Sequence, residues 1–255
     1  MKEQVKDVKN VCNIFYILCH ISAFFLLSST QNPLCAISPM SICYWFLKLI
    51  VSALFFTAGY NHGTPAQQVP SQELQELDWS IPGHHQCEVC EITQPYRTKH
   101  CEDCEACISK FDHHCFWLGS CVGELNHFRF TLYLVLESGC LWVAFSYCFW
   151  GNSLLEYFGY FWLGATCLGF GILTGGLGGF HVYLISIGAT TWEVMRRSRI
   201  SYLKPYPYNF HPFSAGCLGN WRQAMFTKST KNWVLPRPMP FYPFNWCENE
   251  YWSCC

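Results

Sequence analysis

Seven cysteines and three histidines lie between Cys87 and Cys121, in the order Cys87-x2-Cys90-x9-His100-Cys101-x2-Cys104-x2-Cys107-x4-Asp112-His113-His114-Cys115-x5-Cys121. Structural zinc is held by four Cys or His ligands in a tetrahedron, the cysteines as thiolates. Ten candidates are two more than two such sites can use. With eight bound, a histidine and a cysteine stay free, close together in a segment that metal makes rigid. A thiol beside an imidazole is the arrangement of nucleophilic catalysis, in which a base takes the proton and the sulfur attacks. An ordinary thiol, with a pKa of about 8.5, is mostly protonated at neutral pH and needs that base. Spacing alone leaves open which two residues are free.

The segment needs the metal. Between His84 and Lys110 there are too few large apolar side chains for an independent core, and zinc ligation supplies the missing folding free energy. A disulfide framework fits poorly, because seven of the 18 cysteines sit in metal-type spacing and others lie singly inside apolar runs. A net charge of -1 gives no basic face for nucleic acid.

The surrounding chain reads as membrane protein. Of 255 residues 51% are hydrophobic and 13% charged, against about 25% charged in a soluble domain. A bilayer is crossed by roughly 17 to 25 apolar residues. Four stretches approach that length: Val11 to Ser28, Ser41 to Tyr60, Phe128 to Trp150 and Tyr160 to Gly188. The basic start, Met1 to Lys9, resembles a signal-peptide n-region, but no small-residue cleavage site stands out after Ser28; a retained helix is expected. Lys and Arg precede the first stretch, occupy the long loop after the second and follow the fourth, while the short breaks Ser29 to Met40 and Gly151 to Gly159 hold none. Both termini and the cysteine-rich loop are therefore expected in the cytosol. Gly171, Gly175 and Gly179 share a face of the fourth span, where small residues let another helix approach closely. Lys48 and Glu137 fall inside spans; mutual pairing is one solution to that cost, snorkelling of Lys48 to the lumenal surface the other. His20 and His181 are expected as hydrogen-bonded packing residues.

Asp112-His113-His114-Cys115, set in this cysteine pattern between two pairs of membrane helices, resembles the DHHC protein S-acyltransferases, or palmitoyltransferases. Cys121-Val122-Gly123 with Asn126 and Phe130 extends the likeness, as do Thr190-Thr191-Trp192-Glu193 and His211-Pro212-Phe213-Ser214-Ala215-Gly216 with Asn220. The resemblance implies an all-α polytopic membrane protein with four transmembrane helices and a small two-zinc module between the second and third. One structural zinc would be held by Cys87, Cys90, His100 and Cys107, the other by Cys101, Cys104, His114 and Cys121. It further implies Cys115 as nucleophile, His113 as its base and Asp112 as the group that orients the imidazole. Palmitoyl-CoA would be the acyl donor, and substrate proteins with membrane-proximal cysteines the acceptors. Trp117 is a candidate for the rim of an acyl cavity, with interfacial anchoring as the plainer account. Arg97, Lys99 and Arg196 are candidates for CoA phosphates, although positive-inside topology accounts for them equally.

The expected organisation is residues 1–60 as N-terminus and first two helices, 61–127 as the loop with the zinc module at 87–127, 128–188 as the last two helices, and 189–255 as a C-terminal segment. An endomembrane, Golgi or endoplasmic reticulum, is the expected location. Phe116 stands where the family usually has proline, Thr57-Ala58-Gly59 where it has Asp-Pro-Gly, and His211 where it has asparagine. A catalytically impaired zinc-stabilised membrane scaffold is the alternative reading. Cys254 and Cys255 are candidates for lipidation or ordinary thiols.

Overall fold

The computed structural model describes residues 2–28, 34, 37–61, 85–148, 154–231, 233 and 235. Four long helices carry the fold: α1 (Lys2–Ser28), α2 (Pro39–Ala58), α3 (His127–Tyr147) and α4 (Leu154–Ile187). Between α2 and α3 lie three short antiparallel hairpins, β1–β2 (His85–Cys87, Ile92–Gln94), β3–β4 (Lys99–Cys101, Ala106–Ile108) and β5–β6 (His113–Cys115, Ser120–Val122). After α4 come α5 (Thr191–Met195), two 3-10 turns and α6 (Gly216–Phe226). Cys254 and Cys255 lie outside the described residues, as do residues 62–84.

The helices α2 and α3 and residues 158–187 of α4 are long and apolar enough to cross a membrane. The described apolar stretch of α1, Asn10–Phe25, is shorter. Their boundaries follow local chemistry. Ser38 caps α2 through a capping box with Ser41, and Pro39 opens its first turn, where a missing N–H costs nothing. At the end of α4, Gly188 takes φ +71°, and a Cβ there would stand 2.9 Å from Asn220 Oδ1. No other residue type meets both demands without strain.

Helix α4 lies along α3. An added Cβ at Gly175 would meet Ser138 Oγ at 2.9 Å, at Gly178 Val135 Cγ2 at 3.3 Å, and at Gly171 Leu141 Cβ at 3.6 Å. The packing face thus runs 171–175–178, and Gly179, expected on it, has no such neighbour within 4 Å. Lys48 of α2 and Glu137 of α3 meet: Nζ donates to both carboxylate oxygens at 2.8 Å, with side chains only 8% and 5% exposed.

The third hairpin is pinned to the helices. Cys115, Leu118 and Val122 share one apolar cluster with Val51, Phe55 and Ala58 of α2 and Phe130, Tyr133 and Leu134 of α3. Buried Asn126 completes the joint, donating from Nδ2 to the carbonyls of Ala58 (2.7 Å) and Cys121 (2.9 Å) while Oδ1 accepts from Gly123 N–H (2.8 Å).

Candidate active site

The three hairpins repeat every 14 residues: Cys87, Cys101 and Cys115 end the first strands, and Glu91, Glu105 and Gly119 take the left-handed conformation in the turns at φ 54°, 48° and 54°. Each of the first two hairpins adds a cysteine within its turn, Cys90 and Cys104; the third has Leu118 there. The second and third hairpins present a cross-strand pair, His100 opposite Cys107 and His114 opposite Cys121. Each metal group therefore joins the Cys-x2-Cys of one hairpin to the His/Cys pair of the next. Successive strand residues point to opposite faces, so His100 and Cys101 serve different groups and the two groups interleave.

The donor geometry fits zinc. With Zn–S of ~2.3 Å and Zn–N of ~2.0 Å, the S–N edge of a tetrahedron is ~3.5 Å. Around His100 Nδ1 the sulfurs of Cys87, Cys90 and Cys107 stand at 3.5, 3.3 and 3.9 Å. Around His114 Nδ1 those of Cys101, Cys104 and Cys121 stand at 3.5, 3.4 and 3.6 Å. All donor atoms within each group lie within 4.8 Å of one another. Both groups could hold a metal ion, with Gln94 donating to Cys107 Sγ at 3.3 Å as an outer support.

Cys115 occupies the hairpin position of Cys87 and Cys101, yet its turn holds no second cysteine and, among the described residues, no fourth hairpin follows to supply a His/Cys pair. It is left out of both groups. Alternation along β5 sends His114 to the metal face and puts His113 and Cys115 together on the other. There Asp112 Oδ2 accepts from His113 Nδ1–H at 2.7 Å, with the Cys115 thiol on the same face of the strand.

Asp112, 1% exposed, is itself held. Its Oδ1 accepts from the Thr191 backbone N–H at 2.8 Å, the first helical residue of α5. Thr190 and Glu193 form a capping box that fixes that turn. His127 Nε2 lies 3.8 Å from Asp112 Oδ1 and 3.0 Å from His181 Nδ1, and the His181 ring is 5.7 Å from that of His113. Burial alone would raise the Asp112 carboxyl; the imidazoles of His127, His113 and His181 hold it well below the usual carboxylate range. Burial likewise pulls His113 down, but Asp112 and Cys115 beside it win and raise it to about 9.

The arrangement is a thiol beside an imidazole that bonds a buried carboxylate, on a strand that also carries His114 of a group able to hold metal. Residues 80–198 match the family model for DHHC palmitoyltransferase. That segment is a DHHC palmitoyltransferase domain. It is 32% identical over 205 residues to a Dictyostelium discoideum protein named as a ZDHHC-type palmitoyltransferase, covering 69% of this chain and 44% of that one. It is 38% identical over 153 residues to protein S-acyltransferase 10 of Arabidopsis thaliana, covering 53% of this chain and 44% of the relative. The chain thus spans less than half the length of these relatives.

In this DHHC chain Cys115 opens onto a cavity of about 560 Å³ among the helices, lined at its mouth by Phe116 and Trp117 and deeper in by side chains of α1 to α4. The Trp117 ring is 6.2 Å from Phe15 and 6.1 Å from Phe116. Lys99 Nζ sits 3.7 Å from the Trp192 ring centroid, with the exposed Arg196 guanidinium 5.8 Å from the same ring. Arg97 is elsewhere. It is 4% exposed, donates from Nε and Nη2 to Glu193 at 2.7 and 2.6 Å, and lies within 4.6 Å of the ring centroids of Phe213 and Trp233. Its charge is spent on Glu193, so a phosphate contact is closed to it. His127, Asn126 and Thr191 were not singled out for the site from residue chemistry. The 14-residue repeat, readable in the cysteine numbering itself, sets Cys115 apart from the ligand cysteines without any family resemblance.

Proposed function

We propose that this chain is a membrane-embedded protein S-acyltransferase that carries a long-chain acyl group, such as palmitoyl, on Cys115. In the first step the Cys115 sulfur, its proton already held on His113, attacks the carbonyl carbon of an acyl-CoA thioester. The carbon–sulfur bond to CoA breaks, and the leaving CoA sulfur takes that proton from His113. In the second, a substrate protein's cysteine attacks acyl-Cys115; His113 accepts its proton and returns it to the Cys115 sulfur. Each step exchanges one thioester for another, so no energy source is needed. Asp112 acts by holding His113 in the tautomer whose other ring nitrogen faces the thiol. The eight Cys and His residues of the two groups would hold two structural zinc ions, which brace the strand and take no part in the transfer.

In this reading the acyl tail lies in the cavity among the helices, where each buried CH2 contributes about 0.8 kcal/mol. Trp117 stands at the rim, and Lys99 with Arg196 attracts CoA phosphates. Helix α1 serves as the remaining span, with both termini and the hairpins in the cytosol of a Golgi or endoplasmic reticulum membrane. Acceptors are proteins with cysteines near that surface.

The observation that carries the reading is the position of Cys115, left out of both metal groups and lining the cavity together with His113. The scaffold alternative leans on Phe116 in place of proline. Glu88 and Glu102 occupy the same place in the other two hairpins, which form the same turn without proline. The test is hydroxylamine-labile label on the protein from labelled palmitoyl-CoA, lost in Cys115→Ser; unlabelled folded wild type would refute the enzyme.

A further inference from the structure

The cavity that receives Cys115 is not apolar throughout. Lys48, Glu137 and His20 all line it. Glu137 has both oxygens 2.8 Å from Lys48 Nζ, and His20 Nε2 stands 3.6 Å from Oε1. His20 Nδ1 is turned to the Tyr16 carbonyl at 2.7 Å; a carbonyl only accepts, so Nδ1 carries a proton. An ammonium has three N–H donors. Glu137 supplies the only hydrogen-bond acceptors for Lys48 among the described residues, at two oxygens. The third N–H belongs to a side chain 8% exposed, on a wall where the hydroxyls of Tyr44, Thr166 and Thr174 donate to the carbonyls of Cys140, Trp162 and Phe170.

The depth of this station can be read along α3. Phe130 packs on His113, their rings 5.5 Å apart, and shares the apolar cluster of Cys115. Glu137 is two helical turns deeper, about 10 Å at 1.5 Å per residue. Carbon–carbon single bonds of about 1.5 Å advance an extended chain by about 1.3 Å each. The station therefore lies beside roughly the eighth to tenth carbon of an acyl group on Cys115. The cavity continues past it to Ala144 and Leu163, so a long chain runs by the ion pair rather than stopping at it. A plain chain there takes water from the third N–H and gives nothing back, which leaves a buried donor unmade.

We propose that the cavity is fitted to oxygenated fatty acyl groups, those carrying a hydroxyl, keto or epoxide oxygen about eight to ten carbons from the thioester, with that oxygen accepting from Lys48. The inference rests on the acyltransferase reading and adds a substrate class to it.

The test compares stearoyl-CoA, 10-hydroxystearoyl-CoA and 17-hydroxystearoyl-CoA on the full chain in detergent with its metal retained. The readouts are the rate of loading on Cys115 and, in Cys115→Ser, equilibrium dialysis of the same three compounds. The 10-hydroxy compound is expected to be favoured over stearoyl-CoA by about tenfold in both, as one satisfied buried donor implies, with no such gain for the 17-hydroxy compound. Lys48→Met combined with Glu137→Leu removes both charges and should abolish the preference. Equal treatment of the 10-hydroxy and plain chains by wild type overturns the proposal without any variant. If none of the chains loads but the binding preference holds, the acyltransferase reading fails and the site stands; if palmitoyl loads and no preference is seen, only the site fails.

Discussion

Asp112→Asn changes one atom and should disable the site without unfolding it. The carboxylate accepts twice, from His113 Nδ1–H at 2.7 Å and from Thr191 N–H at 2.8 Å. An asparagine has one acceptor oxygen and one NH2 donor. If the oxygen keeps Thr191, the NH2 faces His113 Nδ1, which must then be the unprotonated nitrogen. The imidazole proton moves to the other nitrogen, the one that faces Cys115, and the base can no longer take the thiol's proton. Loss of a positioned general base lowers rate by about 10²- to 10⁴-fold, or roughly 3 to 5 kcal/mol in the barrier. The assay is the rate of hydroxylamine-labile acylation from labelled palmitoyl-CoA, read beside zinc content by elemental analysis. Zinc should stay at the wild-type level, because neither metal group includes Asp112. Wild-type loading by Asp112→Asn refutes the tautomer argument, and loss of zinc would mean that Asp112 is structural.

Cys101→Ser removes one ligand of the second group, but His100 of the first is its strand neighbour; metal per chain should fall from two to less than one, and retention of one full equivalent contradicts the interleaving. Lys48→Met alone leaves Glu137 buried and unpaired, a loss of about 3–5 kcal/mol, whereas adding Glu137→Leu should recover most of it; thermal unfolding of the three variants in detergent closes the cycle, and additive losses would deny the pair. Burial, and then the Arg97 charge, lower Lys110 to about 8 from its usual 10.5. Between those values the unfolded chain binds the proton and the folded one does not, so stability rises with pH across that window. Lys110→Met should therefore be more stable than wild type at pH 7, by up to about 3 kcal/mol, with the advantage gone by pH 10.5; a pH-independent difference overturns this.

How much could be read before the fold was seen varied with the kind of interaction. Cysteine spacing announces metal because ligation is local: Cys-x2-Cys turns and cross-strand pairs come from residues close in the chain. Apolar length announces α2, α3 and α4 for the same reason. The ligand groups assigned by family resemblance coincide with the two groups that converge in space, yet spacing counted candidates without dividing them. The division lies in the 14-residue hairpin repeat, which Leu118 ends. Long-range partners were another matter. Arg97 reads as a phosphate contact because its charge is visible and Glu193, 96 residues away, is not. Thr191 acts through its backbone N–H, which no side-chain chemistry advertises. His127 reaches Asp112 only because the third hairpin folds onto the start of α3. Lys48 and Glu137 could be paired in thought, since a charge in a span demands a solution, but that they line the same cavity as Cys115 depends on how the helices pack.

The central claim is that the hairpin repeat spares Cys115 from zinc so that it can hold an acyl group. Wild type and Cys115→Ser, each purified with its metal, are given palmitoyl-CoA and their intact masses are measured before and after hydroxylamine. The account requires one palmitoyl adduct on the wild type, removed by hydroxylamine, none on Cys115→Ser, and the same zinc content in both. Zinc lost from Cys115→Ser, or a wild type that folds, binds metal and takes up no acyl group, contradicts it.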